Sequence, residues 1–174
     1  MNWTAPQPVR TDPPTIADER VLLDHFLDYH RQTLLAKCAG LTPEQLALRA
    51  VEPSSLSLLG LVRHLAEVER SWFRRRLAGE AVDFLYCDIE TNPDGDFDDA
   101  SPEHAQRDFD TYAREVDAAR AAAAGRSLED TFVHAVLGAE MSLRWVYLHM
   151  LEEYARHNGH ADLLRERIDG ATGE

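Results

Sequence analysis

HMLEEYARHNGHADLLRE, residues 149–166, is the stretch whose reading decides the fold. Laid out at about 100° per residue, Val146, Met150 and Leu164 form one apolar stripe, so the segment reads as a long amphipathic helix facing a core. Glu153, His157, His160 and His149 fall on that same stripe, all inside about 100° of arc. A carboxylate turned towards apolar surroundings needs a compensating partner. Glu153 and His157 are spaced i, i+4, one turn apart, which lets both side chains reach a single point. Metal sites built on helices use this spacing, and a metal ion is the natural occupant of the point.

Such a site needs a third ligand from elsewhere. LVRHLAEVERSW, residues 61–72, offers His64 at the edge of a stripe made by Leu61, Leu65 and Val68. His64, Glu153 and His157 together supply two imidazoles and a carboxylate. Three protein ligands with positions left open is the pattern of a catalytic zinc site, and the same donors suit nickel, iron or manganese. Taken singly, an inward histidine is more often a core residue bonded to a backbone carbonyl. His149 and His160 read either as supporting partners of the three ligands or as polar contacts of the helix. His25, His30, His104 and His134 show no partner pattern and read as surface or interhelical.

The rest of the chain is organised as helices separated by Gly, Pro and Asp. A Pro-rich arm (residues 1–15), on the surface or disordered, precedes a single domain over residues 16–170, with residues 171–174 a short tail. The first helix is expected over about 16–39, with Leu22, Phe26, Tyr29 and Thr33 on one face and Gly40 as its stop. TPEQLALR is a short extra helix, opened by Thr42 with Gln45 in a capping box and Pro43 in the first turn. The second long helix runs from Ser57 to Gly79, with Leu58, Leu61, Leu65, Val68 and Trp72 on its apolar stripe. An acidic loop with scattered aromatics fills residues 83–100. The third helix runs from Ser101 to Gly125, and the last from about Glu140 to Ile168. No segment reads as a strand. Four long helices, one short one and a long loop between helices two and three predict an all-α four-helix bundle.

Composition narrows the function. A net charge of -13 argues against a nucleic-acid partner, which requires clustered Lys and Arg. No apolar run approaches the roughly 18 residues of a membrane span. Cys38 and Cys87 form no CxxC pair, and the N-terminus lacks the apolar core of a signal peptide, so a reduced, cytoplasmic protein is expected. Lys37 is the single lysine among 18 basic residues, a bias that points to a GC-rich genome.

SLLGLVRHLAEVERSWFRR followed by SLRWVYLHMLEEYARHNGHADLLRE resembles the DinB-like superfamily. The likeness is strongest to an actinobacterial branch near the N-terminal domain of the mycothiol-dependent maleylpyruvate isomerase, and it spans about residues 18–170. It implies a four-helix bundle, a homodimer, and one divalent metal, zinc or nickel, held by His64, Glu153 and His157. It places His160 where relatives carry a supporting Gln or His. It also implies a small thiol of the mycothiol type, activated at the metal and used for S-transfer to, or isomerisation of, a small electrophile. A coordinated thiol is deprotonated at neutral pH, and the thiolate is the nucleophile. The readings set beside this one are a non-catalytic metal-binding bundle and a metal-dependent hydrolase.

Three weaker signals remain. ETNPDGDFDDAS imitates a calcium loop, with Glu90, Asn92, Asp94 and Gly95 at matching positions. The closing bidentate Glu is absent, since Ser101 stands there, so a solvated loop near the bundle mouth is expected. Arg74, Arg75 and Arg76 complement a helix C-terminus. Cys38 and Cys87 read as inert core thiols.

Overall fold

Three of the long helices of the computed structural model, which describes residues 3–173, begin where a short polar side chain caps them. Asp18 opens α1 (Glu19–Cys38) by accepting from the Val21 N–H, and Ser57 opens α3 (Leu58–Glu69) by accepting from the Gly60 N–H. Ser142 opens α6 (Leu143–Asp169) in the same way through Trp145. Such a cap satisfies one orphan amide of the first turn and is worth about 1 kcal/mol. α2 (Pro43–Leu46) carries the expected capping box between Thr42 and Gln45. α4 (Gly95–Asp98) lies in the acidic loop, and α5 (Ala105–Ala123) follows a 3-10 turn at Pro102–His104. Gly170 closes α6 in the left-handed conformation, φ 80°, where a side chain would be strained.

The long helices form the bundle: α1 lies along α6, α3 lies along α5, and α3 also meets α6. Leu27, Leu34, Leu61, Leu65, Met150 and Tyr154 are fully buried between them. α3 runs without a break into a π-helical stretch, Arg70–Leu77, in which the Ala78 N–H bonds back five residues to the Phe73 carbonyl at 3.0 Å. The expected second helix is therefore one rod whose last turns are wound more widely.

The face of α1 differs from the expected one. Phe26 is exposed and Leu22, Tyr29 and Thr33 are half-buried, whereas Leu23, Leu27, Leu34 and Cys38 are buried together with Arg31 and Lys37. Two charged side chains interrupt the true core stripe, which made the neighbouring face look more apolar. Arg31 is matched inside the bundle by Glu69 of α3, through two hydrogen bonds of 2.7 Å. Tyr154 donates to Glu69 at 2.8 Å, and Tyr112 joins Tyr154 at 2.9 Å.

The absence of strands needs correction too. β1 (Thr131–Val133) and β2 (Glu140–Ser142) form a small antiparallel hairpin, with Phe132 opposite Met141. Three-residue strands are too short for a periodic signal, and the last helix begins at Leu143, not at Glu140. His134 is buried beside the hairpin and its Nε2 accepts from Arg76 at 2.8 Å, which corrects its reading as a surface or interhelical residue. His30 is interhelical, with the Asn158 amide donating to its carbonyl at 3.1 Å. His25 and His104 are exposed.

The N-terminal arm is tied to the bundle. The Ala5 N–H donates to the Leu41 carbonyl at 3.0 Å and the Gly40 N–H to the Ala5 carbonyl at 2.8 Å. Ala5 is buried, and Trp3 meets Phe109 edge-on at 5.4 Å. Met1 and Asn2 of the expected arm, and Glu174 of the expected tail, lie outside the described residues.

Candidate metal centre

Where α3 and α6 face each other, His64, Glu153 and His157 meet. His157 Nε2 lies 3.5 Å from Glu153 Oε2, and His64 Nε2 lies 3.9 Å from the same oxygen. One donor atom from each residue falls within 4.8 Å of the others, and no further group of this kind occurs among the described residues. Ligands held about 2.0–2.2 Å from a tetrahedral ion stand roughly 3.4 Å from one another, so the spacings fit a single small divalent cation. The donor chemistry fits as well, two imidazoles and one carboxylate with no thiolate, which suits zinc or nickel.

The electrostatics point the same way. The close approach of His157 first and then His64 holds the Glu153 carboxyl far below its ordinary value, against the opposing effect of burial. For His64 burial alone would lower the pKa, but Asp96 and Glu153 outweigh it and raise the ring to about 9. The pocket is thus set to hold positive charge between these groups. In the metal-free protein a proton on His64 supplies it, and a cation would compete for the same place.

Two further histidines flank the three. His149 places Nε2 3.6 Å from Glu153 Oε1, stacks on Trp145 with rings 5.1 Å apart, and meets Trp72 at 4.4 Å. His160 brings its Nδ1 to 3.3 Å from His157 Nδ1. Burial lowers the pKa of both. The helical stripe read from the sequence therefore assembles as expected, with one difference of depth. Val146, Met150 and Leu164 are buried, whereas the Glu153 side chain keeps 24% of its surface.

Sequence reasoning missed the wall contributed by the acidic loop. Asp96 is 4% exposed and sets Oδ2 2.7 Å from His64 Nδ1, while Phe97 stacks on the His64 ring at 4.8 Å. The loop is therefore not wholly solvated. Nothing in the spacing of ETNPDGDFDDAS marks Asp96, because its partner lies 32 residues away on another element. The calcium resemblance does not assemble: Glu90 and Asp94 are exposed, and the Asn92 amide donates to Asp99 at 2.7 Å.

The arginine run is absorbed locally. Arg74 pairs with Glu115 and Glu80, Arg75 lies over Phe84, and Arg76 lies over Trp72. Burial pushes the Cys38 thiol up to about 12 and the Cys87 thiol up to about 11, so neither is a ready nucleophile.

The family model for mycothiol-S-transferases matches residues 22–170, most of the chain. The chain belongs to that family. It is thus a member of the DinB-like superfamily, as its two helical motifs imply, and its all-α architecture agrees. No curated protein matches the chain. The His64–Glu153–His157 cluster is the one place among the described residues where three such side chains come close enough that they could hold a metal ion.

Proposed function

We propose that the protein is a metal-dependent transferase that joins a low-molecular-weight thiol of the mycothiol type to a small electrophile. The observation that carries the reading is the convergence of His64, Glu153 and His157 within 4.8 Å, in a chain of the mycothiol-S-transferase family. A divalent metal bound by these three residues, zinc first and nickel next, would favour the thiolate form of a thiol at neutral pH.

The chain's own residues prepare the rest. Glu153 is ionised across the physiological range and so always offers its charge. His149 and His160 have pKa values below the ordinary imidazole value, so both are neutral at pH 7 and able to accept a proton. His149, with Nε2 3.6 Å from Glu153 Oε1, is the base we assign to the thiol proton. Trp72 and Trp145 pack on the His149 ring and Phe97 on the His64 ring, so apolar surface borders the donor atoms. Thiolate attack forms the new C–S bond as the π bond of an activated C=C breaks, and the adjacent carbon takes up the proton the thiol gave to the base. Release of that adduct is transfer, whereas isomerisation follows when the proton is removed again, the C–S bond breaks and the C=C re-forms with the other geometry. A net charge of -13 disfavours nucleic acid as a partner, and no helix among the described residues is long and apolar enough to cross a membrane. A homodimer and a cytoplasmic location complete the proposal.

The test is metal content, then thiol binding. Wild-type protein should carry about one zinc or nickel per chain, lost in His64→Ala and Glu153→Ala, and should bind mycothiol only when loaded. A metal-free wild type with unchanged variants would overturn the site. Metal retained as a pure stabiliser, with no thiol bound, would favour a structural role instead, and thiol-independent turnover of activated esters would favour hydrolysis.

A further inference from the structure

We infer that Asp96 is a positioning residue for the metal centre: it fixes the orientation and tautomer of His64, and so makes the loop between α3 and α5 part of the site. The inference rests on the proposed metal reading and extends it to a residue outside the three ligands.

Asp96 is buried and charged, and among the described residues its one ion-pair partner is His64. Its other oxygen accepts from the Phe97 N–H at 3.0 Å. A buried carboxylate whose one charged partner is an imidazole holds that ring in a fixed orientation. With His64 Nδ1–H donating to Asp96, Nε2 is the nitrogen left to bind a metal once its own proton is displaced, and Nε2 faces Glu153. Carboxylate partners of this kind lock the ring, select the ligating nitrogen and raise its basicity.

The contact is not needed to hold the loop in place, which has anchors of its own. Arg63, the neighbour of His64, donates from Nε to the Asp96 carbonyl and from Nη2 to the Gly95 carbonyl, both at 2.8 Å. Its Nη1 reaches Asp108 at 3.0 Å. Glu67, one turn further, accepts from the N–H groups of Leu85 and Tyr86 at 2.7 and 2.9 Å. Gly95 is packed so closely that a Cβ there would lie 2.5 Å from the Tyr86 carbonyl oxygen. Backbone contacts therefore deliver Asp96 to His64, and its side chain is free to act on the ring. Phe97 closes one ring face by stacking at 4.8 Å. Three consecutive loop residues thus prepare one side chain of α3.

The experiment is a cobalt(II) titration of metal-free wild type, Asp96→Asn and Asp96→Ala, read by the d–d absorption bands and by competition with a chelator. Thermal melting of each metal-free protein is followed in parallel. The wild type should bind about one cobalt. Asp96→Ala should bind about 10–100-fold more weakly, with altered bands, while its metal-free form still melts in one cooperative transition, at a lower temperature because His64 has lost a charged partner. Asp96→Asn keeps an acceptor for Nδ1–H but no charge, and should fall between the two. Folded variants that bind as tightly as wild type, with the same bands, would overturn the inference while leaving the three-ligand site intact. A wild type that binds no cobalt would overturn the site itself and the inference with it. If Asp96→Ala does not fold, Asp96→Asn decides alone, because wild-type affinity and bands in that variant exclude a role for the carboxylate charge.

Discussion

Arg31 and Glu69 meet inside the bundle through two hydrogen bonds of 2.7 Å, and Glu69 has no exposed surface at all. The pair joins α1 to α3, and Tyr154 extends it to α6. Removing one partner leaves the other charge buried and unmet, so Glu69→Ala or Arg31→Ala should each destabilise by about 3–5 kcal/mol. The double variant Arg31→Met/Glu69→Leu should lose far less than the two singles combined. Urea denaturation of the four proteins checks this, and additive losses would count against it.

Glu115 gives the acid branch of stability. Burial pushes its pKa up, but Arg70 and Arg74 outweigh burial and hold it below the ordinary 4.5. A depressed folded-state value contributes stability that is present above the unfolded value and lost as pH falls. The share of stability that Glu115 supplies should therefore be full from pH 7 to about 5 and decline below about 4.5. Glu115→Gln should flatten part of that decline, as read in urea melts at stepped pH.

Neither cysteine should be needed for activity. With thiol values near 12 and 11, Cys38 and Cys87 carry almost no thiolate at neutral pH. Iodoacetamide at pH 7.5 should label native Cys38 far more slowly than it labels the urea-unfolded chain. The Cys38→Ala/Cys87→Ser protein should retain metal and thiol binding. Loss of thiol binding in a folded double variant would return the cysteines to the mechanism.

Tryptophan emission should report the metal. The Trp72 ring is 4.4 Å from His149, which in turn reaches Glu153, and Trp145 stacks on the same histidine. Cobalt or nickel, both paramagnetic, should quench the wild-type emission much more than zinc does. His157→Ala should abolish the quench, and Trp72→Phe should reduce it. Equal quenching in His157→Ala would place the ion elsewhere.

How much of this was legible in the chain differs from helix to helix. On α6 the apolar residues and the ligand pair obey one period, so Val146, Met150, Leu164, Glu153 and His157 could be placed from spacing alone. On α1 the buried stripe contains Arg31 and Lys37, whose partners lie on other elements, and the register read from apolar residues slipped by one position. The partners Asp96 and Glu69 were invisible for the same reason. A carboxylate in a loop, or among the charges of LAEVERSW, shows its role only when the fold brings a distant cation to it. His134 was hidden by the shortness of the hairpin beside it. His64 lay between these cases, since its place on the stripe was readable while its Asp96 partner was not.

The pairing of Ala5 with Gly40 and Leu41, and of Trp3 with Phe109, bears on how the gene is read. A start codon assigned downstream, so that translation began near Asp18, would keep every helix and all three candidate ligands. The product would nevertheless lose the cover over Leu41 and Phe109 and leave two backbone groups of the α1–α2 turn unpaired. Such a protein would expose apolar surface that the arm otherwise covers, and its lower stability would come from the lost cover and not from the bundle.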